Sequence, residues 1–225
     1  MKKIAVILFG PPGAGKGTQA NLVAEKHALI HFDSGKTLRS ILNDPTNQNN
    51  KTIQKERALN EAGVLNSPDW VLKIFKQEAS KIAKAGKGIV YSGSPRTMYE
   101  AFGDAKSVGL VAHLQSLYKK GNLYFFFLKV SPEEGAKRNK KRRVCEICGT
   151  GVLAASNITT CPICAGNMKV RIDDNPEITK KRIQEYNTRT MPILSKIRKT
   201  GIKVLVVNGE QPPFKVFADI AKKLS

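Results

Sequence analysis

Residues 4–18 read Ile4-Ala5-Val6-Ile7-Leu8-Phe9-Gly10-Pro11-Pro12-Gly13-Ala14-Gly15-Lys16-Gly17-Thr18, and a helical pattern runs on from Gly17 to His27. The unbroken apolar, β-rich run from Ile4 to Phe9 suits a strand covered on both faces of a parallel sheet. The glycines behind it let backbone N–H groups turn inward around an anion. The start of the following helix adds its positive end, and Lys16 brings a mobile charge to the outer groups of that anion. Strand, glycine loop, lysine and helix in this order predict a cradle for nucleotide phosphates. Gly17 follows the lysine where a Ser or Thr is usual in such loops, and Thr18 comes one place later.

Outward from this stretch the rhythm repeats. Gly88 to Tyr91, Leu123 to Val130 and Ile202 to Val207 are further apolar runs. Helical patterns cover Pro68 to Ala85, Tyr99 to Lys119, Pro132 to Lys141, Pro176 to Lys199 and Phe214 to Leu224. Such alternation predicts βαβ units and an α/β, doubly wound parallel sheet. Two segments depart from it. Residues 34–63 read as a helical insert interrupted by the polar Asp44 to Lys51. Residues 141–174 carry all four cysteines and little long apolar sequence, so they read as a small unit held together by metal.

Those cysteines pair as Cys145/Cys148 and Cys161/Cys164. Two thiolate knuckles of this spacing suit a tetrahedral, closed zinc site, which is structural because no coordination position is left open. Free or redox-active thiols are the alternative. Paired rather than scattered cysteines also suit a reducing, cytoplasmic compartment.

The chain has 225 residues, 41% hydrophobic and 25% charged, which fits a globular protein and excludes collagen-like and disordered chains. Its longest apolar run falls far short of the roughly 20 residues of a membrane span. Lys2 and Lys3 before an apolar run resemble a signal peptide, but the run stops at Gly10-Pro11-Pro12, so secretion is not expected. Thirty-eight Lys+Arg against eighteen Asp+Glu give a formal charge of +20, which implies an anionic substrate or partner. A basic zinc-ribbon protein binding nucleic acid is the competing class. The ribbon, however, is embedded among nucleotide-binding motifs, no aromatic-basic RNA motif appears, and most of the Lys137–Arg143 run reads as solvated face. Nucleic acid is therefore not expected. His27, His31, His113 and Trp70 show no partner pattern and read as ordinary packing or surface residues.

The form GxPGxGKGT, met here as Gly10 to Thr18, resembles that of adenylate kinases and their nucleoside monophosphate kinase relatives. Asp33-Ser34-Gly35-Lys36-Thr37-Leu38-Arg39 is similar to their STGDxLR, Gly93-Ser94-Pro95-Arg96-Thr97 to their GFPRT, and Arg171-Ile172-Asp173-Asp174 with Arg182 to their RxDD…R. Arg142-Arg143-Val144 opens a segment similar to the family's LID, and some adenylate kinases carry such cysteines there.

The resemblance implies a P-loop NTPase-like doubly wound sheet with a CORE (1–33, 64–140 and 175–225), a helical acceptor-binding insert (34–63) and a zinc-ribbon LID (141–174). It implies phosphoryl transfer from MgATP to AMP, giving two ADP, by a monomer. Lys16, Arg39, Arg96, Arg142, Arg171 and Arg182 become the catalytic residues, since two polyanions must be neutralised and held in line. ATP falls to Gly13, Ala14, Gly15, Lys16, Gly17, Thr18, Arg138, Arg142 and Gln211. AMP falls to Ser34, Arg39, Val64, Leu65, Asn66, Gly93, Ser94, Pro95, Arg96, Glu100, Arg171 and Arg182.

Several positions depart from that pattern. Ser92 and Lys36 stand where the family usually has aspartates that hold Mg2+ through its water shell, so a weakened magnesium site is expected unless Asp33, Asp104, Thr18 or the phosphates compensate. Glu100 replaces a glutamine that pairs with adenine. Ionised glutamate only accepts, and guanine, with two adjacent N–H donors, would suit it better. Asn60 makes the same pocket more polar, and Val152 replaces an aromatic. AMP is the expected acceptor, with GMP or a pyrimidine monophosphate as the alternative.

Overall fold

The computed structural model describes residues 3–152, 158–170 and 176–224. In chain order its elements are β1 (Ala5–Phe9), α1 (Lys16–His27), β2 (Leu29–Asp33), α2 (Ser34–Asn43), α3 (Lys51–Glu61), α4 (Pro68–Lys84), β3 (Gly88–Ser92), α5 (Met98–Phe102), α6 (Leu110–Tyr118), β4 (Leu123–Lys129) and α7 (Pro132–Lys141). The short strands β5 (Arg143–Cys145), β6 (Gly151–Val152) and β7 (Met168–Lys169) follow, then α8 (Pro176–Glu185), α9 (Met191–Lys199), β8 (Val204–Asn208) and α10 (Pro213–Leu224).

Strands β2-β3-β1-β4-β8 form one sheet in that order, and every neighbouring pair is parallel. Strand β1 lies at the centre and is buried from end to end. Side chains alternate across a strand, so β1 serves two cores. Ala5, Ile7 and Phe9 pack on one face with Leu72 and Phe75 of α4, Leu114 of α6 and Ile193 of α9. Ile4, Val6 and Leu8 pack on the other with Ala20 and Val23 of α1 and Ile220 of α10. This confirms the doubly wound parallel sheet read from the apolar runs. Loops that leave the carboxyl ends of such strands line the ligand crevice, which places the turns after β1, β2 and β3 side by side.

Two expectations about elements need correction. Strand β2 was not anticipated, because its residues alternate between buried and exposed at the sheet edge and include His31 and Asp33. The single helix expected over Tyr99 to Lys119 is two, α5 and α6. Gly103, at φ +70°, ends α5, and Asp104 Oδ1 accepts hydrogen bonds of 2.8 Å from the N–H groups of both Lys106 and Ser107, closing a turn. Asp104 lines neither of the cavities described below.

The helical stretch expected over Pro176 to Lys199 carries a wide, π-type turn at Tyr186–Thr190, just before Pro192 at the start of α9, which has no N–H for the ordinary ladder. Within the 34–63 segment, Asp44 accepts from Thr46 N and so starts a 3-10 turn at Pro45–Asn47, and Asn50 accepts from Thr52 N and Ile53 N and so starts α3, which is how the polar run separates α2 from α3. Strands β6-β5-β7 form a separate antiparallel sheet around the cysteines.

Candidate active site

The phosphate loop needs its glycines. Gly13 and Gly15 take φ of +84° and +79°, in the left-handed region, and a Cβ on Gly13 would overlap the backbone of Gly135 in α7. Lys16 Nζ donates to the carbonyls of Gly10 (2.7 Å) and Pro11 (2.9 Å), so the loop's own oxygens hold the lysine in place. Burial, followed by the positive fields of Arg182, Arg96 and Arg142, lowers its pKa from 10.5 to about 7. Four cationic groups therefore face one another, an arrangement that a polyanion relieves.

They face a cavity of about 560 Å³, a size typical of small-molecule sites. Gly13 to Thr18 line one end. Ser34, Arg39, Val64, Leu65, Asn66, Gly93, Ser94, Arg96 and Glu100 line the other, with Arg142 and Arg182 also on the wall and Asn60, Val144, Gly149 and Gly151 at its edges. Pro95, which follows a cis peptide bond after Ser94, lines a smaller adjoining cavity together with Lys16, Arg96, Arg182 and Tyr186.

Local chemistry fixes these side chains. Arg96 Nε donates to Gly93 O at 2.7 Å, and Thr190 Oγ1 donates to Arg96 O at 2.9 Å, tying the wide turn to the loop after β3. The Arg39 guanidinium lies over Gly35, where a Cβ would sit 3.2 Å from Nη1. Asp33 Oδ1 accepts from Lys36 N and so caps α2.

Glu100 is buried rather than solvated, at 3% exposure. Its Oε2 accepts from Arg96 N at 2.7 Å, its Oε1 from Thr97 Oγ1 at 3.1 Å, and Thr97 Oγ1 accepts from Glu100 N in return, a reciprocal cap on α5. Burial raises its pKa, while the bond from Arg96 N and the Arg96 charge act the other way. Asn60 Nδ2 donates to Asn66 Oδ1 at 3.3 Å, and Asn66 Nδ2 donates to Glu56 O at 2.7 Å, giving the pocket a second polar wall.

Two expected residues stand elsewhere. Arg138 bonds Glu134 (2.7 Å) and the carbonyls of Gly209 (2.8 Å) and Glu210 (3.2 Å), while Gln211 bonds Asp219 (2.9 Å) and Asn208 O (3.3 Å). Both meet on the turn after β8 and line neither cavity. Arg171 lies outside the described residues.

His31, read as an ordinary packing or surface residue, has a partner at each ring nitrogen. Its Nδ1 lies 2.5 Å from Asn21 Oδ1 of α1 and its Nε2 lies 2.7 Å from Ser92 Oγ of β3. No spacing rule marks this set. Gly135 was missed for the same reason.

At the small sheet, all four cysteine Sγ atoms lie within 4.8 Å of one another, with Cys145–Cys164 at 3.4 Å and Cys148–Cys161 at 3.6 Å. A tetrahedral zinc at ~2.3 Å from each thiolate requires edges of about 3.8 Å, so the set fits that ion. Ile147 N donates to Cys145 Sγ, and each pair closes a turn whose last residue, Gly149 or Ala165, takes positive φ.

Across residues 8–202 the chain matches the family described as Adenylate kinase. It is 32% identical to the adenylate kinase of Chlamydia pneumoniae, over 96% of this chain and 95% of that protein. To those of Pelobacter propionicus and Elusimicrobium minutum it is 33% identical, with 97% and 96% of this chain covered and 96% of each relative. A phosphate loop at the switch point of a parallel sheet, with cations gathered over a nucleotide-sized cavity, defines a P-loop phosphotransferase. The chain belongs to the adenylate kinase family.

Proposed function

We propose that the protein catalyses reversible transfer of the γ-phosphoryl group of ATP to AMP, giving two ADP. The observation that carries this reading is the single cavity. The phosphate loop lines it together with a polar wall of Glu100, Asn60 and Asn66, and Lys16 loses much of its proton affinity there, through burial first and the charges of Arg182, Arg96 and Arg142 second.

In that reading, Gly13 to Thr18 hold the donor phosphates through backbone N–H groups and Lys16. Arg39 and Arg96 grip the acceptor's phosphate, and Arg142 and Arg182, with Arg171, neutralise the charge that spreads over the transferring group. Ser34, Val64, Leu65, Asn66, Gly93, Ser94, Pro95 and Glu100 shape the acceptor pocket. Arg138 and Gln211, on the turn after β8, would meet the donor nucleotide. The three parts are the CORE, the 34–63 insert and the 141–174 LID, whose strand β5 and following turns bring Val144, Gly149 and Gly151 to the cavity edge.

Mg2+ bound with ATP would supply further neutralisation of the phosphate charge. On this chain, Thr18, Ser92 and Asp33 line the cavity and would be the groups to hold its water shell, Asp33 Oδ1 also capping α2. Zinc held by Cys145, Cys148, Cys161 and Cys164 would fix the LID's small sheet. A cytoplasmic monomer is the expected form; among the described residues no helix is long and apolar enough to cross a membrane.

A buried carboxylate at Glu100 favours a second acceptor, GMP, whose base offers two adjacent N–H donors. An assay panel of AMP, GMP, CMP and UMP with MgATP tests both readings. Transfer to AMP is expected, and absence of transfer to any monophosphate would overturn the assignment.

A further inference from the structure

Three elements meet at one line of hydrogen bonds: Asn21 on α1, His31 on β2 and Ser92 at the carboxyl end of β3. The spacing is 2.5 Å from Asn21 Oδ1 to His31 Nδ1 and 2.7 Å from His31 Nε2 to Ser92 Oγ. Ser92 is 6% exposed, and what remains open belongs to the cavity that also holds Lys16 and Thr18.

The donor count decides what this line does. A carboxamide oxygen only accepts, so Nδ1 carries the ring proton and Nε2 of the neutral ring is an acceptor. The hydroxyl hydrogen of Ser92 is then committed to His31. Both remaining lone pairs of Oγ are left for other partners.

We infer that Asn21 and His31 are positioning residues that turn Ser92 into an acceptor-only oxygen for the water shell of the divalent cation carried by the nucleotide. The inference rests on the phosphoryl-transfer reading above. A bare phosphate oxygen is itself only an acceptor and would be repelled by such an oxygen, whereas every water on a cation presents hydrogens outward. A neutral serine thus offers the hydrogen-bonding face of a carboxylate without its charge. Ser34 Oγ reinforces the geometry by donating to Ser92 O at 3.2 Å, which ties the start of α2 to the end of β3.

The test begins on nucleotide-free protein. Nitrogen-15 NMR of the His31 ring should show the Nδ1–H tautomer in wild type. It should also show a hydroxyl-bonded Nε2 resonance that shifts in Ser92→Ala. An Nε2–H tautomer would overturn the inference, because Ser92 would then be free to donate into the cavity.

The second arm measures Mn2+ binding to the protein–ATP complex by electron paramagnetic resonance, together with the half-saturating Mg2+ concentration in the kinase assay. Partners that orient a metal's surroundings are worth roughly 10–100-fold in affinity. His31→Ala and Ser92→Ala should therefore each weaken Mn2+ binding about tenfold, and the double variant no further. His31→Gln, whose amide can donate to Asn21 and accept from Ser92, should restore binding to within about threefold. Unchanged Mn2+ affinity in both alanine variants would refute the relay even if transfer to AMP proceeds. Failure of transfer with the expected tautomer would instead refute the reaction.

Discussion

Gly13 and Gly135 meet backbone to backbone: a Cβ on Gly13 would lie 2.2 Å from Gly135 O, and one on Gly135 would lie 2.7 Å from Pro12 O. The phosphate loop is thus moulded against α7 as well as against its own helix. Gly13→Ala meets both this overlap and a φ of +84°. Left-handed backbone costs a non-glycine residue ~1–2 kcal/mol and overpacking a further ~1–3 kcal/mol. Thermal unfolding should show a loss of about 2–5 kcal/mol, with ATP affinity down at least tenfold. Gly135→Ala, free of the φ penalty, should lose less than half as much. Wild-type ATP affinity in Gly13→Ala would refute the contact.

Lys16 gives a pH-dependent signature. In the nucleotide-free protein its pKa is lowered to about 7, and bound phosphates restore the ammonium form. ATP binding should therefore take up a proton, little of one at pH 6 and most of one by pH 8. Calorimetry in buffers of different ionisation enthalpy reads this directly. Between pH 7 and 10.5 the unfolded chain holds the proton that the folded chain lacks, so stability should rise with pH across that window. Lys16→Met should remove both effects and lower kcat at least 10²–10³-fold while the fold survives.

Glu100→Gln should change base choice. The amide adds a donor to a buried wall that otherwise accepts, favouring adenine over guanine by roughly 1–3 kcal/mol, or about ten- to a hundredfold in kcat/KM. The AMP/GMP ratio measures it. Loss of the reciprocal cap with Thr97 should appear separately, as a small fall in Tm.

If zinc is held by the four thiolates as proposed, chelating it should unfold the β6-β5-β7 sheet before the rest, because its described strands are only two or three residues long and its centre is sulfur rather than hydrocarbon. Ala165, at φ +57°, occupies the place that Gly149 fills in the other knuckle. Ala165→Gly should stabilise the zinc-loaded sheet by about 1 kcal/mol, read as slower zinc release to a chelator. Faster release would contradict it.

What the sequence disclosed follows a physical division. Ile4 to Phe9 is apolar at every position because both faces of β1 are covered, so the central strand and its phosphate loop are plain from the residues alone. Strand β2 is an edge, its polarity mixed, and nothing local separates His31 from a surface histidine. The line from Asn21 to Ser92 joins residues 71 apart, and Gly135 approaches a loop more than a hundred positions earlier. Such pairings depend on how the sheet is wound. Glu100 was legible as an exchange for glutamine, but its burial, with its carboxylate bonded to Arg96 N and Thr97, depends on tertiary packing that its neighbours in sequence do not announce.

The wide turn at Tyr186–Thr190 acts on helical phase. Upstream of it, Arg182 and Glu185 look into the nucleotide cavities; downstream, Ile193, Leu194 and Ile197 look into the core. One continuous α-helix advances 100° per residue, so a single added position in the winding decides which way the cationic half points once the apolar half is seated. Removing one residue from this turn would leave α9 in its groove and rotate Arg182 by about 100° about the helix axis. Insertions and deletions here would then be far costlier to the enzyme than the surface exposure of the segment suggests, and the length of this turn, more than its composition, is what evolution must keep.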